Sequence, residues 1–314
     1  MNPAPSLLPS LLPALPLLAL DWGSSSLRGA LIAPDGTVLE ERSFARGILT
    51  VDKGGFSAVF DACFRDWMLP GTLCLIAGMA GSQQGWVEAP YCPCPAGFDD
   101  IAQQLVWVDH RAAGRIAIVP GLSIEHEGVP DVMRGEETQV FGALQLLGLT
   151  QTREVTLVLP GTHSKWVTVN SNRIIDFSSW MTGEFYSLLR QQSILARTLP
   201  AEEPELDTES FNHGVSHAMR SSSLLHTAFS VRTLSLFKRM NAEALPSYLS
   251  GLVIGEEIKN QTLHRDEPVI VIGSEALTAR YKLALAHLGI SVLRAGSSAT
   301  WCGLRALADN LSHS

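Results

Sequence analysis

The sequence predicts an α/β protein of two domains, and three observations support this prediction. First, a run of three short strands, with a polar turn after its first strand, occurs twice, at 17–44 and at 155–177. Second, a strand, a helix and another strand follow one another at 269–294, an alternation typical of α/β domains. Third, 314 residues suffice for two domains of ordinary size, each with its own core.

The first half of the chain reads as strands separated by turns and one helix. The hairpin signal Pro34-Asp35-Gly36 joins the second and third strands. The predicted strands are 17–21, 27–33, 37–44, 73–77 and 116–119, and the predicted helix is 57–68.

The second half repeats this organisation. It opens with an amphipathic helix, since Val140, Ala143, Leu144 and Leu147 share one face. Helices dominate 183–261, around an exposed acidic loop at 200–207. The other predicted elements are the helix 136–149, the strands 155–159, 166–169, 173–177, 269–272 and 291–294, and a helix that ends at 288. We assign 17–133 to an N-terminal domain and 134–314 to a C-terminal domain.

Residues 1–16 lie outside both domains. The stretch from Leu7 to Leu20 is mostly apolar, but Pro9, Pro13 and Pro16 interrupt it and no basic residue precedes it. A signal peptide needs a basic start and a small-residue cleavage site, and a membrane span needs about 20 uninterrupted apolar residues. We therefore expect a disordered N-terminal extension.

Composition and charge exclude several classes of function. Charged residues make up 17% and hydrophobic residues 46%, as in a globular protein, and the net charge is -8. An acidic chain has no broad basic field for nucleic acid, although a few focused cations could still bind a small anion. Five scattered cysteines do not form a disulfide framework, which indicates a reducing, cytoplasmic location.

The first polar turn follows the first strand and begins at Asp21. A carboxylate at the end of a buried strand suits Mg²⁺, and the amides of Gly23, Ser24 and Ser25 suit a phosphate. An ordinary hairpin with an Asp-stabilised turn would show the same pattern.

The second polar turn, Pro160-Gly161-Thr162-His163-Ser164-Lys165, has the same position in the second repeat. Gly161 permits close approach of a phosphate, Thr162 and Ser164 offer hydroxyls, and Lys165 adds positive charge. A solvated hairpin is again the alternative. Two such turns in duplicated halves can face each other across a cleft and hold one polyphosphate.

Arg134 directly precedes Glu136 and Glu137 at the start of the helix 136–149. One of these carboxylates can accept a proton from an attacking hydroxyl, and the arginine can bind a substrate carboxylate through two hydrogen bonds. Acidic residues in a first helical turn also simply complement the helix dipole.

Two glycine-containing loops complete the candidate site. The loop 78–86, with Gln83 and Trp86, offers amides and an aromatic face to a polyol, although the pattern taken alone favours a plain glycine-rich loop. Gly273 and Ser274 lie between a strand and a helix, a position suited to adenosine or its phosphates. Neither a dinucleotide fingerprint nor a Walker-type phosphate loop occurs in the chain.

Together these motifs resemble the superfamily of actin and the sugar kinases, in which two ribonuclease-H-like domains enclose ATP. More narrowly, five segments resemble the 2-dehydro-3-deoxygalactonokinase family, over nearly the whole chain from residue 17. They are 21–24, 132–139, 160–167, 181–184 and 277–281. Ser25-Ser26 departs from the expected Thr-Asn, and Gly273-Ser274-Glu275 departs from the usual Gly-Thr-Ser.

The resemblance implies ATP-dependent phosphorylation of the 6-hydroxyl of 2-dehydro-3-deoxy-D-galactonate. Asp21 would hold Mg²⁺, Lys165 would steady the developing charge, and Glu136 or Glu137 would act as the base. The nucleotide would contact Gly23, Ser24, Ser25, Gly161, Thr162, His163, Ser164, Gly273 and Ser274. The sugar acid would contact Arg28, Gln83, Trp86 and Arg134. A homodimer, another sugar or sugar acid as substrate, a phosphohydrolase and a non-catalytic sugar-acid sensor stay open.

Overall fold

The computed structural model describes residues 15–111, 114–150 and 154–313. Most of the predicted N-terminal extension, residues 1–14, lies outside these ranges. Among the described residues, no helix is long and apolar enough to cross a membrane.

The described ranges contain alternating strands and helices. The strands are β1 (Leu17–Trp22), β2 (Leu27–Ile32), β3 (Val38–Phe44), β4 (Leu73–Gly78), β5 (Cys92–Pro93), β6 (Val106–Val108), β7 (Arg115–Ile118), β8 (Leu122–His126), β9 (Val129–Met133), β10 (Val155–Leu159), β11 (Ser164–Asn170), β12 (Arg173–Trp180), β13 (Val269–Ile272) and β14 (Val292–Ala295). The α-helices are α1 (Phe56–Phe64), α2 (Phe98–Gln103), α3 (Glu136–Leu146), α4 (Thr182–Gln192), α5 (Thr208–Arg220), α6 (Leu224–Thr227), α7 (Ser230–Leu236), α8 (Leu245–Lys259), α9 (Glu275–His287) and α10 (Ser298–His313).

The chain divides into two compact units. The first comprises Met1–Pro90, Ile101–Gly121 and Leu304–Ser314, and the second comprises Tyr91–Asp100 and Leu122–Gly303. The boundary predicted at residue 133 stays a prediction.

The first unit is built on a six-stranded sheet in the order β3-β2-β1-β4-β7-β6. β1 pairs antiparallel with β2, and β2 antiparallel with β3, whereas β1, β4 and β7 run parallel. β1 and β4 are apolar and almost wholly buried, as expected for central strands of a covered sheet. Trp22, Phe60 and Phe64 are the largest fully buried side chains of this core.

The second unit contains a five-stranded sheet in the order β12-β11-β10-β13-β14. β10 and β11 are antiparallel, β11 and β12 are antiparallel, and β10, β13 and β14 are parallel. Strand order and directions therefore repeat those of the first five strands of the other sheet. This repetition confirms the predicted α/β fold class with a duplicated, ribonuclease-H-like mixed sheet.

A three-stranded sheet, β5-β8-β9, was not predicted. β5 has two residues, and the outer ends of β8 and β9 are exposed, so neither gives a buried apolar run. The hairpin between β8 and β9 turns at Glu127 and Gly128, which both have positive φ (52° and 80°).

Helices of the second unit pack closely around this framework. A Cβ on Gly142 of α3 would lie 1.8 Å from the carbonyl oxygen of Ala299, and one on Gly303 would lie 1.9 Å from that of Thr138. The two backbones therefore approach as only glycine allows. α8 is buried on nearly all sides and packs against α5, α4 and α9.

Candidate functional site

The first polar turn is held from two sides. Within the turn, the amide of Gly23 donates to the carbonyl of Ser26, at 2.9 Å. From outside, the amides of Ile48 and Leu49 donate to the carbonyls of Gly23 and Ser24. Ser24 and Ser25 are exposed, so the predicted phosphate contacts face solvent on a fixed backbone.

Asp21 forms an ion pair with Arg28 across β1 and β2, where the two residues are directly paired. Arg28 Nη2 lies 2.5 Å from Asp21 Oδ2, and the side chains of Arg28 and Asp21 are 35% and 20% exposed. The residue predicted to bind metal is therefore paired with a residue predicted to bind substrate. The described part of the chain contains no group of three or more His, Cys, Asp or Glu side chains that could hold a metal ion. Mg²⁺ commonly uses only one or two carboxylates together with phosphate oxygens, and Asp21 fits that use.

The glycine-rich loop after β4 is folded against its own backbone. Gly78 has φ 89°, and a Cβ there would lie 2.9 Å from the carbonyl oxygen of Trp22. The Trp86 amide donates to the Ala80 carbonyl at 2.7 Å. Gln83 is exposed at the tip of the loop.

Trp86 contributes its ring mainly to the core. The ring centroid lies 5.5 Å from that of Phe60, 5.7 Å from that of His110 and 6.0 Å from that of Trp22. These contacts leave Trp86 partly buried. Its predicted role as an aromatic platform for the substrate therefore concerns only the exposed part of the ring.

The second polar turn rests on the start of α4. A Cβ on Gly183 would lie 2.4 Å from the carbonyl oxygen of Gly161, so the two segments touch directly. The Glu184 amide donates to the Thr162 carbonyl at 3.0 Å. His163 Nε2 also lies 2.5 Å from Glu184 Oε2. Thr162 and His163 remain exposed.

Ser164 and Lys165 point into the second unit. The Ser164 hydroxyl donates to the buried carboxylate of Glu257, at 2.7 Å. The hydroxyl predicted to contact a phosphate is therefore hydrogen-bonded to Glu257.

Lys165 is buried, with 7% of its surface exposed. Its Nζ donates to Ser179 Oγ at 2.5 Å, and Ser179 Oγ donates to Asp131 Oδ1 at 2.6 Å. No ion pair within 4.0 Å joins Lys165 to a described carboxylate. An ammonium group has three protons, and a buried cation requires compensation, so this position suits an anionic ligand.

The helix α3 begins with two carboxylates folded back on its own start. Gly135 precedes it with φ 102°. Glu136 Oε2 accepts from the Arg134 amide at 2.9 Å, and Glu137 Oε2 accepts from the Gly135 amide at 2.7 Å. Glu137 thus satisfies the amide of the N-cap residue, one of those that a helix start leaves without partners, and Glu136 binds the amide just before it.

The two carboxylates differ in accessibility. Glu137 is completely buried, whereas Glu136 is partly exposed. Burial, and secondarily the charge of Glu136, raise the pKa of Glu137 to about 8. Glu137 Oε1 has no hydrogen-bond partner among the described residues, which agrees with a protonated acid.

Arg134 stacks on an aromatic ring that the sequence analysis did not identify. Its guanidinium carbon lies 4.3 Å from the ring centroid of Tyr91. A planar guanidinium can both stack on a ring and bind a carboxylate through two hydrogen bonds. No motif surrounds Tyr91, so only the fold could reveal this contact.

The Gly273 turn lies next to the second polar turn. Gly273 has φ 148°, and a Cβ there would lie 3.7 Å from the Pro160 carbonyl oxygen. Ser274 is the N-cap of α9 and makes no side-chain capping bond. Thr278 accepts a hydrogen bond from Arg294 Nη2 at 2.9 Å, which ties α9 to β14.

A pocket opens within the second unit beside the second polar turn and α9. The part of it that a water molecule can occupy has a volume of about 50 Å³. It is bordered by the second polar turn and the helices α4, α8 and α9, through Gly161, Thr182, Gly183, Tyr186, Ser250, Val253, Ile254, Leu277, Arg280 and Tyr281. Four segments that are far apart in the sequence thus form one recess.

The chain is similar to kinases of sugar-acid metabolism. It is 36% identical over 300 residues to the 2-dehydro-3-deoxygalactonokinase of Escherichia coli (strain K12), covering 94% of this chain and 98% of that protein. It is also 36% identical over 294 residues to a probable 2-dehydro-3-deoxygalactonokinase of Rhizobium meliloti (strain 1021), covering 90% and 95%.

A solved structure agrees with these sequence matches. A Sinorhizobium meliloti protein, to which 2-dehydro-3-deoxygalactonokinase activity is ascribed, superposes with a TM-score of 0.86 at 34% identity. The match covers 94% of this chain and 99% of that protein. The family model described as 2-keto-3-deoxy-galactonokinase matches residues 21–307. The chain therefore belongs to the 2-keto-3-deoxy-galactonokinase family.

Proposed function

We propose that this protein is an ATP-dependent sugar-acid kinase that phosphorylates the 6-hydroxyl of 2-dehydro-3-deoxy-D-galactonate. The product would be the 6-phosphate, an intermediate of galactonate catabolism. Family membership supports the reaction class. The observation that carries the proposal is Lys165, a buried ammonium at the end of the second polar turn whose described partner is a neutral hydroxyl.

Phosphoryl transfer depends mainly on positioning and on neutralising the charge of the phosphoryl oxygens. Lys165 would supply that charge, and Gly161, Thr162, His163 and Ser164 would contact the phosphates through their backbone. Gly23, Ser24 and Ser25 would make the equivalent contacts in the other unit. The recess bordered by Gly161 and by Leu277, on the helix α9 that follows Gly273 and Ser274, supports an adenosine subsite.

Asp21 would hold Mg²⁺, which supplies further positive charge to the phosphate oxygens when it is bound. Its partial exposure supports this role, because the carboxylate can be reached from solvent. Arg28 would then exchange its partner Asp21 for an anionic ligand.

Glu136 is the better candidate for the general base. A base must come within hydrogen-bond reach of the hydroxyl from which it takes a proton, and Glu137 is fully buried. Glu137 would hold the start of α3 through the Gly135 amide. Arg134 would bind the substrate carboxylate, with Gln83 and Trp86 near the hydroxylated chain.

We further propose that the enzyme acts in the cytoplasm on small molecules, without nucleic acid. The net charge of -8 and the five free cysteines support this assignment. A homodimer remains compatible with it.

The test is ADP release measured with purified protein, ATP and a panel of 2-keto-3-deoxy acids and aldoses. We expect release to depend on the acid and to be fastest with 2-dehydro-3-deoxy-D-galactonate. A faster reaction with an aldose would reassign the substrate. Equal ADP release without any acceptor would instead identify a phosphohydrolase, and ligand binding without any ADP release would identify a sensor.

A further inference from the structure

Glu257 lies on α8 and is almost completely buried, with 1% of its surface exposed. Four side chains donate hydrogen bonds to its carboxylate. Ser164 Oγ lies 2.7 Å and Tyr281 Oη 2.8 Å from Oε2, and Trp166 Nε1 lies 2.6 Å from Oε1. The hydroxyl of Thr182 also donates to Oε2. This single carboxylate thus accepts hydrogen bonds from three hydroxyl groups and one indole N–H.

These donors come from three segments that meet at the candidate nucleotide pocket. Ser164, in the second polar turn, and Trp166 lie at the start of β11. Thr182 begins α4, next to the Gly183 that touches Gly161. Tyr281 lies on α9, the helix that follows Gly273. Thr182 and Tyr281 themselves border the pocket.

A buried carboxylate is costly unless hydrogen bonds compensate its lost hydration. Burial raises the pKa of Glu257, while the bonds from Thr182, Ser164, Tyr281 and Trp166 oppose that shift. The donors are therefore coupled, since moving any one of their three segments leaves part of the acid unsatisfied.

We propose that Glu257 is a positioning residue for nucleotide binding, because its carboxylate fixes the second polar turn, the start of α4 and α9 relative to one another. This inference rests on the proposed function, in which that pocket receives ATP. Glu257 would not touch the nucleotide. It would keep these three segments, together with its own helix α8, in the arrangement that binds the nucleotide.

Glu257→Gln is the sharpest variant, because it keeps the size of the side chain. Trp166 can only donate, so the amide oxygen must face its indole, and the amide nitrogen must then face the three hydroxyls. These hydroxyls would have to accept instead of donating. Trp166→Phe is a second variant, which removes a single hydrogen-bond donor at a residue that does not border the pocket. Glu256→Gln is the matched control, since Glu256 is the preceding residue and pairs with Lys259 instead.

The readouts are the Kd for ADP by calorimetry, the KM values for ATP and the sugar acid, and the melting temperature. We expect Glu257→Gln to weaken ADP binding and raise the KM for ATP about tenfold or more, as for loss of a charged hydrogen bond. The KM for the sugar acid should stay near that of the wild type. Trp166→Phe should act in the same direction, less strongly, and Glu256→Gln should change none of these values.

A lower melting temperature with unchanged ADP affinity in both variants would overturn the inference and make Glu257 a purely structural residue. If Glu257→Gln does not fold, Trp166→Phe alone tests the inference, and unchanged ADP affinity in that variant would overturn it. Wild-type protein that fails to bind ADP would overturn the proposed function and this inference together. Wild-type binding with unaffected variants would overturn this inference alone.

Discussion

Asp21 Oδ2 and Arg28 Nη2 lie 2.5 Å apart on directly paired positions of β1 and β2. This ion pair joins the residue proposed for Mg²⁺ to a candidate for binding the anionic substrate. Both side chains are partly exposed, so the pair is accessible to a competing cation or anion, and its net strength in water is small.

Asp21→Asn should raise the Mg²⁺ concentration for half-maximal turnover about tenfold or more, on the scale typical of residues around metals. The reason is that an amide oxygen carries no charge for the ion. A Mg²⁺ titration of steady-state turnover measures this. Asp35→Asn, in an exposed hairpin turn, is the control and should leave the titration unchanged. An unaltered Mg²⁺ dependence of Asp21→Asn would limit Asp21 to its pair with Arg28.

Lys165→Met should lower kcat about 10²–10³-fold, the usual cost of removing one charge-stabilising group from an active site. The measurement is turnover at saturating ATP and sugar acid. Ser179→Ala should lower kcat less, because it removes only the hydroxyl that accepts from Lys165. Lys282→Met, on the exposed face of α9, is the matched control. A normal kcat in Lys165→Met would contradict the role of Lys165 on which the proposed function depends.

Glu136→Gln should lower turnover about 10²–10⁴-fold while nucleotide binding persists, the range for loss of a general base. Glu137→Gln should lower turnover less, since the oxygen of the glutamine side chain can still accept the hydrogen bond from the backbone amide of Gly135. Single-turnover kinetics and ADP titration separate chemistry from binding. The reverse ranking would make the buried carboxylate the base, and two near-normal variants would restrict both residues to the helix start.

Glu137 should also make stability depend on pH. Its pKa is raised from the ordinary value of 4.5 to about 8, so the folded state retains a proton that the unfolded chain has released. This contribution to stability is fully present below about pH 4.5 and is lost as the pH rises to about 8, with a slope of at most about 1.4 kcal/mol per pH unit. Glu137→Gln should flatten the melting temperature between pH 5 and 8 relative to the wild type. Parallel profiles of the two proteins would contradict the buried, protonated acid.

The sequence predicts the central strands well, because continuous apolar runs have few alternatives. The strands β10 and β13 have the bounds predicted for them, and β1 extends one residue further. The exposed strands β8 and β9 carry no such signal and were missed. The two polar turns were found because glycine and hydroxyl residues directly follow buried strands.

The partners of those turns were not predictable from local patterns. Glu257 is 93 residues from Ser164 in the chain, and Asp131 is 48 residues from Ser179. Each is an ordinary acidic residue in its own segment, and only tertiary packing gives it a role. The prediction that the two turns face one cleft stays a prediction.

Substituting Arg134 tests whether the enzyme recognises the carboxylate group of the proposed substrate. A protein of net charge -8 gains nothing from its overall field when it binds a carboxylate beside ATP, so a local cation must do so. The Arg134 guanidinium lies over the Tyr91 ring, 4.3 Å from its centroid, which restrains its plane. It can hold both carboxylate oxygens, whereas lysine offers only a point charge.

Arg134→Lys should therefore raise the KM for the keto acid about tenfold or more and leave the KM for ATP nearly unchanged. Steady-state kinetics with each substrate varied in turn measure both values. Arg115→Lys is the matched control, because Arg115 lies over the Trp107 ring at 3.8 Å in the other unit. Equal weakening toward ATP and the acid would assign Arg134 to the phosphates. No change in either KM would make its contact with Tyr91 structural, and Arg28 would then be the candidate to substitute next.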